Sequence, residues 1–499
     1  MIKKILFILT FIHRWGGLIG GWFCFFLVIT GTISIFDQEI SQWMQPELAN
    51  YKPTQIVSET GLQSAYNVWQ ENARKNQFSF VILPSERYPF LQVLNSHGKL
   101  LSWQNIEPTT GEVIKSPSTV GGYFFDSLHN NLLMGRPAGD IAIITLSILF
   151  FLFILSGFII HLQHLWKEFF KIRPKASALR FVLDIHLGIG VFFLPFLLMM
   201  VISGFLFYAP NYISFFNPST NHYHSETLKD VSATHDLPAQ NLYSLVQKAQ
   251  TSFHSMPGFI LITSKQIRVV QSDVDQLAIM RNYIEFDRAT DQVSRNINQS
   301  SDGRYFLNLM FGLHLARTGG DVLRCIYFIA GVGSAALIAT GLLFFSNKRR
   351  HYNTKHVSAK LLMFYKLTDG LHVGVIMGAL MALLSVFWVN MLVPKHIIDK
   401  PFWEVTIFLC VFILSFIQGL FYSFYLTVMK AWQYQIGLFA CLCILLPVAK
   451  AILFPQILTS IFNQNGVYTV MSITFISIGL IFGILYFYLQ RKNVFKRVA

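Results

Sequence analysis

This sequence predicts a polytopic α-helical membrane protein of about eight spans, with two small α+β modules on one side of the membrane and an internal duplication in its first 350 residues. Three observations predict it. Of 499 residues, 53% are hydrophobic and only 13% charged, far from the balance of a soluble domain. Apolar runs of spanning length fall near 8–36, 140–164, 183–209, 321–346, 371–394, 402–426, 435–455 and 466–490. Finally, a histidine placed ahead of a small-residue pair recurs. His13 precedes Thr30-Gly31 and His186 precedes Ser203-Gly204, eighteen positions from histidine to glycine in both cases. Eighteen helical residues return to the same face about 27 Å further on, close to the thickness of a bilayer core.

The net charge of +14 would suggest an acidic partner in a soluble protein, but the basic residues sit in alternate connections. Lys167, Lys171, Arg173, Lys175 and Arg180 follow the second run; Lys348, Arg349, Arg350, Lys355, Lys360 and Lys366 follow the fourth. Lys3 and Lys4 open the chain, and Arg491, Lys492, Lys496 and Arg497 close it. The positive-inside rule therefore predicts both termini in the cytoplasm and an even number of spans, and no nucleic-acid role is read into the charge. The first apolar run is too long for a secretory signal and lacks a small-residue cleavage site, so it is expected to stay as an anchor. All five cysteines fall in predicted spans, which leaves the outer loops without a disulfide framework.

In chain order, residues 1–36 are the first span and 37–138 an outer module. That module has helical apolar spacing over Gly61 to Lys75, strand-like runs at Phe78–Leu83 and Pro89–Leu94, and a turn at Pro108-Thr109-Thr110-Gly111. Residues 139–209 hold spans two and three. Residues 210–318 repeat the module in degenerate form: a helix around Leu242 to Ser252, strands at Gly258–Ile262 and Ile267–Val270, then Ile284 to Val293, where Thr290-Asp291-Gln292-Val293 aligns with Thr110-Gly111-Glu112-Val113. Span four covers 319–346, a basic cytoplasmic loop 347–370, and four further spans 371–499. Tandem duplication is the simplest account of the first 350 residues. The closing spans repeat as well, since Leu128-His129 precedes Ser156-Gly157 as Leu313-His314 precedes Thr340-Gly341.

Together these residues resemble the PepSY-associated transmembrane helix family: His13-Arg14-Trp15-x-Gly17 opening span one, Thr30-Gly31 near its end, Asp184-x-His186 opening span three, Leu-His before spans two and four, and an outer module ending Pro-Thr-Thr-Gly-Glu-Val. The resemblance covers about 1–350 and reaches the last third only loosely. It implies a bacterial inner-membrane protein with outer PepSY-like modules, and one branch of the family consists of haem-containing ferrisiderophore reductases. Span three departs from the pattern in lacking Arg-Trp after its histidine, and the second module in carrying Asp291 where the turn glycine would stand.

The histidines carry the candidate chemistry. An intramembrane histidine is either a neutral side chain bonded to a backbone carbonyl or a functional group. His13 and His186 open spans at matched depth, and each has a packing glycine one turn on, Gly17 and Gly190. A flat macrocycle held between helices needs an imidazole from each side and small residues where its plane passes, which is the geometry of a bis-histidine haem b. His129 and His314 form the matching outer pair, giving two haems b and a one-electron path across the membrane. His161, His164 and His372 are weaker alternatives as ligands. Asp184 is expected to cap a helix or to bond a ligand histidine.

Without a glycine-rich nucleotide loop or a cysteine cluster, the electron donor is expected to be a quinol or a separate cytoplasmic reductase. The leading expectation is a haem-dependent reductase of an outer-side Fe(III) chelate such as a ferric siderophore. The alternatives are a PepSY-type peptide-binding or protease-regulating membrane protein and a component of a metal transporter, the latter drawing on the last four spans.

Overall fold

The computed structural model describes residues 2–492 apart from 76–77, 98–99, 163–170, 174–175, 214–240, 275, 298–301, 353–357, 395–396, 398, 462 and 464. Among the described residues eight helices are long and apolar enough to cross a membrane: Lys3–Ser34, Ala138–His161, Leu194–Asn211, Gly320–Lys348, Ala359–Leu392, Lys400–Tyr425, Val428–Leu453 and Val467–Arg491. The chain is a multi-pass membrane protein, with a sheet at one end of the bundle and the ends of the described chain, Ile2 and Lys492, at the other.

Span one is not a uniform helix. Helix α1 (Ile2–Phe11) passes through a π-helical turn at Ile12–Gly16, which holds His13, into α2 (Gly17–Ser34). A π turn widens the helix by one residue and is common at functional positions. Span two is α6 (Ala138–His161). Span three, continuous in hydropathy, is broken into α7 (Ala178–Phe192) and α8 (Leu194–Tyr208). Pro195 sits at the start of α8, where its missing N–H costs nothing, and Phe193 closes α7 and opens α8. His186 therefore rides on α7, a helix separate from the rest of its span. Span four is α11 (Gly320–Tyr352), followed by α12 (Ala359–Leu392), α13 (Lys400–Tyr425), α14 (Val428–Leu453) and α15 (Val467–Lys492). Helices α11 and α12 run well past their apolar stretches into residues 347–370. Hydropathy marks what meets lipid, whereas backbone hydrogen bonding continues beyond it.

Between spans one and two lie α3 (Asp37–Trp43), α4 (Glu59–Arg74), β1 (Val81–Ile82), β2 (Leu91–His97), β3 (Leu100–Ile106), β4 (Val113–Ile114) and α5 (Tyr123–Asn131). After span three come α9 (Leu242–Phe253), β5 (Pro257–Ile262), β6 (Gln266–Gln271), β7 (Tyr283–Asp287), β8 (Val293–Ile297) and α10 (Asp302–Leu315). The duplication is visible in details. Ser58 caps α4 by accepting from Gly61 N, and Asn241 caps α9 by accepting from Ser244 N. Gly111 adopts φ +75° and Asp291 φ +53°, and each donates its N–H four residues back, to Glu107 O and Asp287 O. The aspartate fills the left-handed turn position because Asp, like Asn, tolerates it better than other side chains.

The two outer stretches are joined to each other. The eight strands form one antiparallel sheet in the order β4-β3-β2-β1-β5-β6-β7-β8, joined where Val81 pairs with Ile260 and Ile82 with Phe259. Helices α4 and α9 cover one face through a single core that includes Trp69, Val93, Ile106, Leu245, Ile260 and Phe286. Two half-sheets sharing an edge remove two exposed edges, the usual weakness of small sheets.

Candidate functional site

The structure brings the four candidate histidines together in two pairs. His13 and His186 have ring centroids 6.4 Å apart, and His129 and His314 have theirs 6.0 Å apart. His13 starts span one, whereas the His129 ring reaches the carbonyl of Leu27 near the far end of that span, so the pairs occupy opposite ends of the bundle.

Every one of these rings is held through Nδ1. His13 Nδ1 lies 3.0 Å from Phe153 O, His129 Nδ1 2.9 Å from Leu27 O, and His186 Nδ1 2.9 Å from Leu337 O. His314 Nδ1 lies 2.9 Å from Ser203 Oγ, whose own hydrogen is donated to Met199 O, and within bonding reach of the Met200 carbonyl. A carbonyl only accepts, so the proton sits on Nδ1 and the lone pair on Nε2. Among the described residues no hydrogen bond engages any of the four Nε2 atoms. Burial lowers the His129 pKa, partly offset by its bond to Leu27, so this imidazole is neutral at physiological pH, as a ligand must be.

The small-residue pairs explain why those carbonyls are reachable. Phe153, Leu27, Leu337 and Met200 each precede a glycine by four residues: Gly157, Gly31, Gly341 and Gly204. In a helix the side chain at that later position would shield the carbonyl from the side. A Cβ added at Gly157 would stand 2.7 Å from His13, at Gly31 2.6 Å from His129, at Gly341 2.9 Å from His186, and at Gly204 3.0 Å from His314. Gly31 serves His129 rather than His13, and Gly204 serves His314 rather than His186. Within each repeat the two spans exchange histidines reciprocally. Gly17 and Gly190 line the cavity beside His13 and His186, and a Cβ at Gly17 would meet nothing within 4 Å.

That cavity has a volume of about 770 Å³ and lies among α1, α2, α6, α7, α8 and α11, with an apolar interior that includes Leu18, Phe150, Phe153, Leu197 and Leu342. Two imidazoles bound to opposite faces of one metal ion at ordinary bond lengths of about 2.0 Å have centroids roughly 6.3 Å apart. Both observed separations match. Among the described residues no three His, Cys, Asp or Glu side chains converge as a set for a bare ion. His13 and His186, flanking an apolar slot, would suit a flat macrocycle held between them.

His161 lines the same cavity as His13 and His186, and His164 lies outside the described residues. His372 is buried on α12 with its ring 6.0 Å from Trp22 and its Nδ1 3.4 Å from Ser346 Oγ, and it does not line the cavity. Asp184 neither caps a helix nor bonds a ligand ring. It accepts from Arg173 N and forms ion pairs with Arg173 and Arg180, while Ser177 provides the cap of α7. Sequence reasoning did not single out Asp126, three residues before His129. Burial, with the nearby Asp37 carboxylate, pushes its pKa up to about 6, and Asn130 donates to it. Only its spacing from His129 could have flagged it.

Compared with known families, residues 10–348 match the model of the PepSY-associated TM region. None of the curated proteins compared with the chain matches it.

Proposed function

We propose that this chain, which belongs to the family of the PepSY-associated TM region, is a haem-bearing electron-transfer protein of a bacterial inner membrane that reduces an Fe(III) chelate, a ferric siderophore, on the side bearing the sheet. The observation that carries the reading is the pair of two-imidazole sites, with separations of 6.4 and 6.0 Å, at opposite ends of one bundle. On this reading His13 and His186 hold one haem b, His129 and His314 a second, and both termini are cytoplasmic.

When bound, haem supplies a one-electron couple. The chain's own residues do the rest. The carbonyls of Phe153, Leu27 and Leu337 fix the tautomer and raise the basicity of Nε2. The glycines let each ring seat against its neighbouring helix, and the apolar lining keeps water out. Delivery of one electron to a ferric chelate weakens its hold, because hard oxygen ligands prefer Fe(III) to Fe(II). The donor is a quinol or a separate cytoplasmic reductase.

The test is a visible spectrum of protein purified from haem-replete membranes. Sharp paired bands on reduction are expected, with pigment removable by acid–acetone, since no Cys-x-x-Cys-His attachment motif exists in the chain. A haem content near zero would overturn the reading and favour a peptide-binding or metal-transport role.

A further inference from the structure

The cavity around His13 and His186 has an uneven charge. Its interior is apolar, yet two side chains lining it carry a formal charge and both are cationic: Arg14 and Lys348. No carboxylate lines it among the described residues. The two cations come from different spans. Arg14 follows His13 on the π turn, and Lys348 stands seven residues, about two helical turns, beyond Gly341 on α11. Both therefore sit at the mouth facing the terminal end of the bundle. His161, one turn beyond Gly157 on α6, lines the same mouth.

These cations differ from others near the helix ends. Arg173 and Arg180 are paired with Asp184, and Arg87 and Arg324 with Glu39, whereas neither Arg14 nor Lys348 forms an ion pair among the described residues. A cavity that is greasy within and doubly cationic at one lip suits a flat amphiphilic dianion, apolar across its face and with two carboxylates on one edge.

We propose that Arg14 and Lys348 are positioning residues that each take one of the two propionate carboxylates of the haem between His13 and His186, so that its carboxylate edge faces the terminal end of the bundle. This rests on the haem reading above. The rival role for two such cations is to reach lipid phosphate at the membrane surface.

The test uses full-length protein stripped of haem and titrated with haem b or with haem dimethyl ester, which has the same ring and no carboxylates. Wild type is expected to bind the ester roughly tenfold more weakly than haem b at the His13–His186 site. Arg14→Gln with Lys348→Gln should abolish that preference and lower the midpoint potential of this spectral component, because cations near the ring favour the reduced state. Arg14→Lys should retain most of the preference. The His129–His314 component, unchanged in every variant, reports that the fold is intact. Equal binding of haem and ester by wild type, with an unmoved potential in the double variant, would overturn the proposal in favour of lipid phosphate. Failure of wild type to bind either porphyrin would instead overturn the haem reading beneath it.

Discussion

A Cβ at residue 31 would stand 2.6 Å from the His129 ring, too close for either to remain in place. Gly31→Ala is therefore expected to displace that imidazole and to weaken binding of the haem proposed between His129 and His314 by about tenfold or more, as overpacking of this kind costs about 1–3 kcal/mol. A heme titration followed by optical spectroscopy measures this. Ligand substitutions should group by pair. His13→Ala and His186→Ala are expected to remove the same spectral component, His129→Ala and His314→Ala the other, and the double variant within a pair should lose little beyond either single. Shared loss between His13→Ala and His129→Ala would refute the pairing. The four histidines and four glycines were legible in the sequence because duplication shows them twice. Which glycine each ring packs against was not. Helical periodicity relates residues along one helix, whereas Gly31 meets His129 through packing between helices, and the π turn at His13 disturbs the period itself.

At the scale of elements, the two equivalent turns make a contrast. Gly111 combines φ +75° with a would-be Cβ 2.8 Å from Thr60 O, so Gly111→Ala should destabilise the outer region, whereas Asp291→Gly, relieving a side chain at φ +53°, should be neutral or stabilising by up to about 1 kcal/mol. Thermal melts of the two variants decide. Glu107 adds a pH dependence. Burial alone would raise its carboxyl, but donations from the Thr110 and Thr109 backbone and hydroxyls outweigh this and hold it below its ordinary value of 4.5. A depressed carboxyl contributes stability above its unfolded pKa and loses it as pH falls through the folded value. Glu107→Gln should therefore lower the melting temperature slightly at pH 7 and make no difference once the pH is well below the folded value of the carboxyl. Strands β1, β2, β5 and β6 were readable as the apolar runs Phe78–Leu83, Pro89–Leu94, Gly258–Ile262 and Ile267–Val270. The seam was not, because the two-residue strand β1 pairs with β5 across more than a hundred and seventy intervening positions. The break in span three escaped for a related reason: hydropathy averages over Pro195 while the backbone cannot.

For the molecule as a whole, the last four spans are not a detachable appendix. One core joins Phe25 of α2, Trp43 of α3, Phe125 of α5 and Leu342 of α11 to Phe387, Phe408 and Phe475 of the last four spans. Glu404, fully buried on α13, accepts from Thr119 Oγ1 at 2.9 Å, Val120 N at 2.7 Å and Asn390 Nδ2 at 2.9 Å, and Lys450 Nζ lies 3.6 Å over the Trp43 ring and donates to Trp43 O. Glu404→Ala strands these donors and is expected to cost about 3 kcal/mol in thermal stability. Truncation after Tyr352 keeps all four histidines. It strips α5 of Phe387 and Phe408, which pack on Phe125 and Phe124 with centroids 5.5 and 5.1 Å apart, so the His129–His314 component should be lost before the His13–His186 one. Loss in the opposite order, read from the spectrum of the inserted truncate, would refute this. Each two-histidine site draws one ring from the first repeat and one from the second: His13 with His186, His129 with His314. Neither repeat owns a site. Half a chain offers two half-sites and completes neither, and holding both halves in one chain makes their meeting obligatory rather than concentration-dependent.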